Sequence, residues 1–237
     1  MERASCNYNV MREKRRTIGI KNYINENKRR RLRECIIKGA GNYAHYLIDK
    51  DFLILCEDGE EYIVHFLKGD FKHLTGVTTD LSDIDFYKSS IKCTLDIGNI
   101  NENQKYNWAT LKSKVKRISY IHRILYDNIQ DSLFLINLHT NTRDYPIAIK
   151  NTNIDACIGF VENNNARTLR KYGSSNDADS QKKILMILAK RRKESLYEEI
   201  VYLSMVEESY KVKEGILEIV SEKLQDRFLE ILTKTGK

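Results

Sequence analysis

Residues 52–76 read FLILCEDGEEYIVHFLKGDFKHLTG, and this stretch decides the fold class. Phe52 to Cys56 is a short apolar run that reads as a buried strand, Asp58-Gly59 as a hairpin turn, and Tyr62 to Leu67 as the return strand. Gly69 to Leu74 follows at once as a short helical turn. A strand pair running straight into helix, with helical periodicity on both sides, makes the chain α+β.

Upstream, Leu32, Ile36, Ala40, Tyr43 and Leu47 recur at three- and four-residue steps and predict a helix, which Gly39 and Gly41 weaken. Downstream, Ser82 caps a helix through Ile91. A longer helix is expected from Trp108 to about Ile129, with Trp108, Leu111, Val115, Ile118 and Leu125 on one stripe and Lys112, Lys114, Lys116, Arg117 and Arg123 on the outer face. Leu133 to Leu138, Ile147 to Ile149 and Cys157 to Val161 read as three further strands. Tyr172 to Ser180 is expected to be a linker or turn. Two charged amphipathic helical segments are expected after it, at about 180–211 and 213–233, the second with Leu217, Val220, Leu224, Phe228 and Ile231 on one stripe.

Charge points to a polyanionic partner. The 237 residues carry a formal +7 with a pI near 9.0, which favours attraction to phosphates. Within 11–40, eleven Lys or Arg face three Glu, a net +8 that exceeds the surplus of the whole chain. Residues 194–230 carry ten acidic against four basic side chains, a net −6. Residues 1–30 are expected to be a loosely held basic arm that tracks phosphates, with Arg29, Arg30 and Arg31 as nucleic-acid contacts. Lys112 and Lys116 join them from the outer face of the later helix. The N-terminus has charges where a signal peptide needs an apolar stretch, and no apolar run is long enough to span a membrane. Five scattered cysteines form no CxxC and read as reduced thiols, so the expected location is cytoplasmic.

Metal ligation finds little support. The five histidines never sit three or four residues apart, and Asp80, Asp83 and Asp85 lack the glycine and distal glutamate of a calcium loop. No cofactor is expected. The informative residue is His73 in FKHLTG, because an imidazole titrating near neutral pH can take a proton from a ribose hydroxyl or give one to a leaving oxygen. Of the other histidines, His65 is expected to pack on its strand, His122 to satisfy a helix contact, and His139 to be exposed at a hairpin end.

Tyr46-Leu47-Ile48-Asp49, Phe52 to Cys56, FKHLTG and Asp85-Phe86-Tyr87 together resemble the phage-associated Barnase–EndoU–colicin E5/D–RelE-like nucleases, subfamily four. Cys157 to Phe160 followed by Ala166-Arg167-Thr168-Leu169 resembles that family's end, and the similarity spans about residues 32–175. The resemblance implies N-terminal helices followed by an antiparallel sheet, and RNA cleavage without a metal through attack of the 2′-hydroxyl on the adjacent phosphorus. By position it assigns His73 as general acid or base, Arg167 and Thr168 as ligands of the scissile phosphate, and Lys171 as an assistant. Lys72 and Lys150 are secondary phosphate contacts, and His45 is a second candidate for proton transfer.

The expected organisation is a basic arm (1–30), a nuclease-like α+β domain (31–175) and a C-terminal helical hairpin (176–237). Three functions fit this reading. One is an endoribonuclease of a phage or other mobile element, either a toxin or a counter-defence protein, acting on tRNA or a guide RNA. Another is a non-catalytic binder of RNA or of an RNA-loaded complex, as an anti-CRISPR protein would be. The last is an interaction protein whose segment 180–237 contacts a protein partner or a second copy.

Overall fold

The computed structural model describes residues 5–101, 108–127, 129–141, 143–171, 177–204 and 216–235, with side chains from 26 to 230. Among the described residues six α-helices, α1 (Ser5–Tyr46), α2 (Asp70–Thr75), α3 (Asp83–Ile91), α4 (Trp108–Ile118), α5 (Arg123–Tyr126) and α6 (Glu222–Thr235), accompany one antiparallel sheet. Its strands are β1 (Lys50–Cys56), β2 (Glu61–His65), β3 (Ser132–His139), β4 (Tyr145–Asn151), β5 (Ala156–Phe160), β6 (Ala166–Arg170), β7 (Asp177–Arg191) and β8 (Glu199–Leu203). The sheet order is β2-β1-β7-β3-β4-β5-β6, with β8 added to β7. Its two ends meet, since the His65 amide donates to the Asn164 carbonyl at 2.9 Å and His65 bridges Asn165. The sheet is therefore curled around its contents.

The concave face holds the main core. Leu32, Ile36, Ala40, Tyr43 and Leu47 of α1 are all buried there, joined by Phe71 and Leu74 of α2, Phe86 of α3, and Leu111, Val115 and Ile118 of α4. Burying each such side chain contributes about 1.5–3 kcal/mol, so this stripe is what holds the helices against the sheet. Gly39 has its reason here: a Cβ at that position would lie 2.8 Å from the Ile118 carbonyl oxygen, so the bare glycine lets α1 and α4 close on each other. The Tyr43 hydroxyl donates to the Leu67 carbonyl at 2.8 Å. That bond fixes the entry to α2.

Three expectations require correction. Residues 180–191 are not helical but form most of β7, the strand that holds the sheet together. Its first half pairs with β3 and its second half with β1, while β8 takes the other flank. The C-terminal helical hairpin is therefore absent from the described residues: 199–203 is β8, and α6 is the only helix of eight or more residues described after β8. A domain boundary at 175/176 would cut through the sheet. Instead Ile216, Val220, Leu224 and Phe228 pack against Leu53, Leu55, Met186 and Leu188 on the convex face. Second, the expected arm of 1–30 is, from Ser5 onward, the start of α1. Third, the helix expected from Trp108 to Ile129 breaks after Ile118 and resumes only as the short α5. Lys114 and Arg117, placed by sequence on its solvent face, are buried, at 8% and 7% exposure. Of the expected linker, 172–176 lies outside the described residues, and 177–180 opens β7.

Candidate active site and nucleic-acid interface

Helix α2 is a single short turn that ends at Gly76, whose φ of 70° gives the left-handed cap closing back on the His73 and Lys72 carbonyls. Phe71 and Leu74 anchor it in the core, which leaves Asp70, Lys72 and His73 for other contacts. The Asp83 carboxylate at the start of α3 receives both of the latter: His73 Nε2 lies 3.1 Å from Oδ2, and Lys72 Nζ lies 2.8 Å from Oδ1. The Lys72 hydrogen bond, more than any other influence, holds the Asp83 carboxyl below the ordinary carboxylate range. Lys72 also donates to the Leu81 carbonyl at 2.9 Å, so this expected phosphate contact is already engaged within the protein.

His73 is half-buried, and its pKa lies below the ordinary imidazole value. Burial is the main cause and the Arg167 charge the next, with Asp83 opposing both. The ring is thereby held toward its neutral form, the state a general base needs. Asp70, one helical turn before it, is pushed up to about 6 by burial, against the Leu67 amide that its carboxylate accepts at 2.9 Å and the Arg167 charge. Asp70 was not singled out by sequence; its place three residues before His73 on a helical turn was the available signal. Arg167 is exposed on β6 and, with Arg143, Val161, Glu162 and Asn163, lines a cavity of about 340 Å³. Arg143 was likewise missed.

Arg167 and Thr168 part company. A β-bulge between Gly159 and Phe160 opposite them leaves Gly159 paired with Thr168 and Phe160 with Ala166, so that Arg167 is the extra residue. Thr168 is buried and lines a different cavity of about 410 Å³, between β6 and α4, together with Lys171, Lys114, Arg117 and Arg170. The expected catalytic group thus divides into His73 with Arg167, and Thr168 with Lys171. The divide is narrow, since a Cβ on Gly76 at the end of α2 would meet Lys114 Cδ at 2.9 Å. Lys171 Nζ lies 3.5 Å from Asp155 Oδ2, which also accepts Arg117 Nη2 at 3.1 Å.

The remaining expected contacts distribute as follows. Lys150 is buried on β4 and donates to Gln181 Oε1 at 2.8 Å. It shares a cross-strand row with Cys157 and Arg170. Arg31 and Lys112 come together with Lys28 and Trp108 around a groove of about 320 Å³ between α1 and α4. Arg30 pairs with Glu26 at 3.2 Å, Arg29 is partly buried, and Lys116 is exposed on α4. His45 sits edge-on to the Tyr46 ring at 4.5 Å, with His122 stacked on the same ring, in a group separate from α2. His65 Nδ1 lies 2.7 Å from Asp51 Oδ1, which also receives Arg192 at 3.2 Å. His139 is exposed at its hairpin, where Asp179 and Asp144 raise its pKa.

Among the described residues no three His, Cys, Asp or Glu side chains cluster in a metal-holding arrangement, and no helix is long and apolar enough to cross a membrane. No curated protein and no solved structure matches the chain. A family model described as phage-Barnase-EndoU-ColicinE5/D-RelE like nuclease4 matches residues 35–205, well over half of the 237 residues and including β7 and β8. An α+β chain with a curled antiparallel sheet, a histidine on its helical flank and arginines at its edge strand thus belongs to that nuclease family.

Proposed function

We propose that the protein is a metal-independent endoribonuclease in which His73 is the general base. Its Nε2 faces Asp83, so the tautomer that donates to the carboxylate leaves Nδ1 with the lone pair. Nδ1 takes the proton of a ribose 2′-hydroxyl as that oxygen attacks the adjacent phosphorus. The P–O5′ bond breaks, a 2′,3′-cyclic phosphate remains on one fragment, and the departing 5′-oxygen receives a proton. Asp70 supplies that proton, because its burial keeps the acid form populated closer to neutral pH than an ordinary carboxyl. Asp70 replaces His45 in this role, since His45 lies with Tyr46 and His122 instead. Arg167, with Arg143 beside the same cavity, meets the negative charge that builds on the phosphorane.

The observation that carries the reading is the coincidence of a neutral-leaning imidazole, an acid-leaning carboxyl and a guanidinium close enough to shift both. Membership of a nuclease family supplies the substrate class. The phage named in its description supports placing the gene on a phage or other mobile element.

The test is incubation of a structured RNA with the full chain in EDTA, followed by end-group analysis. Cutting that leaves 2′,3′-cyclic phosphate ends, and fails on 2′-O-methylated RNA, is expected. RNA held intact would point instead to a non-catalytic binder. Cutting that EDTA abolishes would overturn the metal-free mechanism.

A further inference from the structure

The cavity between β6 and α4 is built for an anion, and nothing in the His73 chemistry uses it. Lys114, Arg117, Arg170 and Lys171 bring positive charge to its lining, with the hydroxyls of Thr110, Ser113 and Thr168 beside them; Asp155 pairs with Arg117 and Lys171 but is not among the lining residues. Arg170 Nε is buried there with no hydrogen-bond partner. An N–H withdrawn from water and given nothing in return is unfavourable, so a fold that retains one beside an open cavity leaves it a partner to find. Lys114 lines the same cavity from the helix. Its ammonium is nearly buried, and burial together with the Arg170 charge brings its pKa down to about 8. An anion seated between Arg170 and Lys114 would meet the orphaned Nε and the ammonium together.

The position of the cavity names the anion. Arg167 serves the His73 site and Thr168 this one, and consecutive Cα atoms are only about 3.8 Å apart. Gly76, at the end of the helix that carries His73, also lies against Lys114, so the two hollows are neighbours and the next phosphate along the strand has this one within reach. On the other flank of α4 lies the groove that Trp108 and Lys112 share with Arg31 of α1, and Ala109 lines both hollows. That groove suits a base stacked on an indole with cations along the backbone.

We propose that the β6–α4 cavity is a second phosphate subsite, which holds the backbone phosphate of a nucleotide flanking the one cut at His73. The inference rests on the reading that RNA is the substrate, but not on which residue performs the cut. Lys114 and Arg170 grip the phosphate oxygens, and the Thr168 hydroxyl donates to the same group. Trp108 then receives the next base along the strand.

The experiment uses the full chain and a fluorescein-labelled, fully 2′-O-methylated RNA oligonucleotide, titrated by anisotropy at several salt concentrations. Lacking the attacking hydroxyl, this probe reports binding whether or not His73 cleaves. Lys114→Met and Arg170→Gln are each expected to weaken binding about 10- to 100-fold, and the slope of log K against log salt should fall by about 0.7 for one lost phosphate on a single strand. Lys114→Met should also raise Tm by a few degrees, so its lost affinity would not be lost folding. Arg170→Lys should restore part of the affinity. Affinities within twofold of the parent, with an unchanged salt slope, would overturn the subsite. A nucleoside 3′-monophosphate that binds this cavity more tightly than the oligonucleotide would overturn its assignment to the RNA backbone and make it a free-nucleotide site. Should His73→Ala still cleave while Lys114→Met binds poorly, the catalytic reading fails and the subsite stands; the reverse pattern sinks the subsite alone.

Discussion

The two sides of β6 hold positive charge in opposite ways. At Arg167 the guanidinium is exposed, and its neighbours His73 and Asp70 are titratable groups shifted mainly by burial, a shift that the Arg167 charge adds to at His73 and opposes at Asp70. At Arg170 and Lys114 the cations are drawn out of water, the Arg170 Nε buried without a hydrogen bond and the Lys114 ammonium nearly buried, while Asp155 pairs with the neighbouring Arg117 and Lys171. On the proposed reading the first arrangement moves protons and the second receives a phosphate. One strand can serve both because Arg167, the residue left unpaired by the bulge, lines one hollow and Thr168 beside it lines the other. On that reading the comparison teaches that catalysis and grip are separated by a single residue step on an edge strand.

That separation can be sharpened or broken by substitution. The largest effect is expected at Arg167: Arg167→Ala should cut the single-turnover rate about 10²- to 10³-fold, as loss of a transition-state donor does elsewhere, while affinity for uncleavable RNA falls little. If affinity and rate drop together, the two sides are not distinct.

Next is the stability of Lys114→Met, measured by urea unfolding. The folded pKa of Lys114 is lowered to about 8 from an ordinary value of 10.5. Its stabilisation is therefore that of the neutral amine, present above 10.5 and lost as pH falls through about 8. At pH 7 the buried ammonium opposes folding, and removing it should stabilise the chain by about 1–3 kcal/mol. That gain should shrink at pH 10. A destabilised variant at pH 7 would mean that Lys114 holds the fold rather than a ligand.

The smallest effect is expected at Asp83. Its carboxylate opposes the downward shift of His73, so Asp83→Asn should lower the imidazole pKa further. The acid limb of the pH–rate profile should then move to lower pH. A limb that stays in place would mean that another group sets it.

Much of this was legible in the residues. The α1 stripe from Leu32 to Leu47 and the Asp58-Gly59 hairpin follow local rules, and both are present as expected. Strand β7 was not legible, because Ile184 to Ala189 is covered on both faces and so loses its alternation. Six apolar residues between Lys183 and Lys190 carry no sign of period, and their Leu, Met and Ala content favours helix. The break in α4 was hidden for a related reason. Ile118, Ile121, Ile124 and Leu125 keep a helical spacing through the turn because both segments pack on one core.

At the candidate site, the sequence pointed to His73 through its motif and to Arg167 through family resemblance. Grouping Thr168 with Arg167 overlooked that neighbours on a strand face apart. Lys114 lay hidden in the basic run Lys112 to Arg117, yet it occupies the i+3 place of the apolar stripe Leu111, Val115 and Ile118. A lysine in that place was the signal of a buried cation.

The most direct measurement is single-turnover cleavage of RNA in EDTA by the parent chain and by His73→Ala, with affinity for 2′-O-methylated RNA measured on both. The account predicts a rate lower by about 10²- to 10⁴-fold in the variant, the range of a lost general acid or base, at an affinity within about twofold. An unchanged rate in His73→Ala would contradict it.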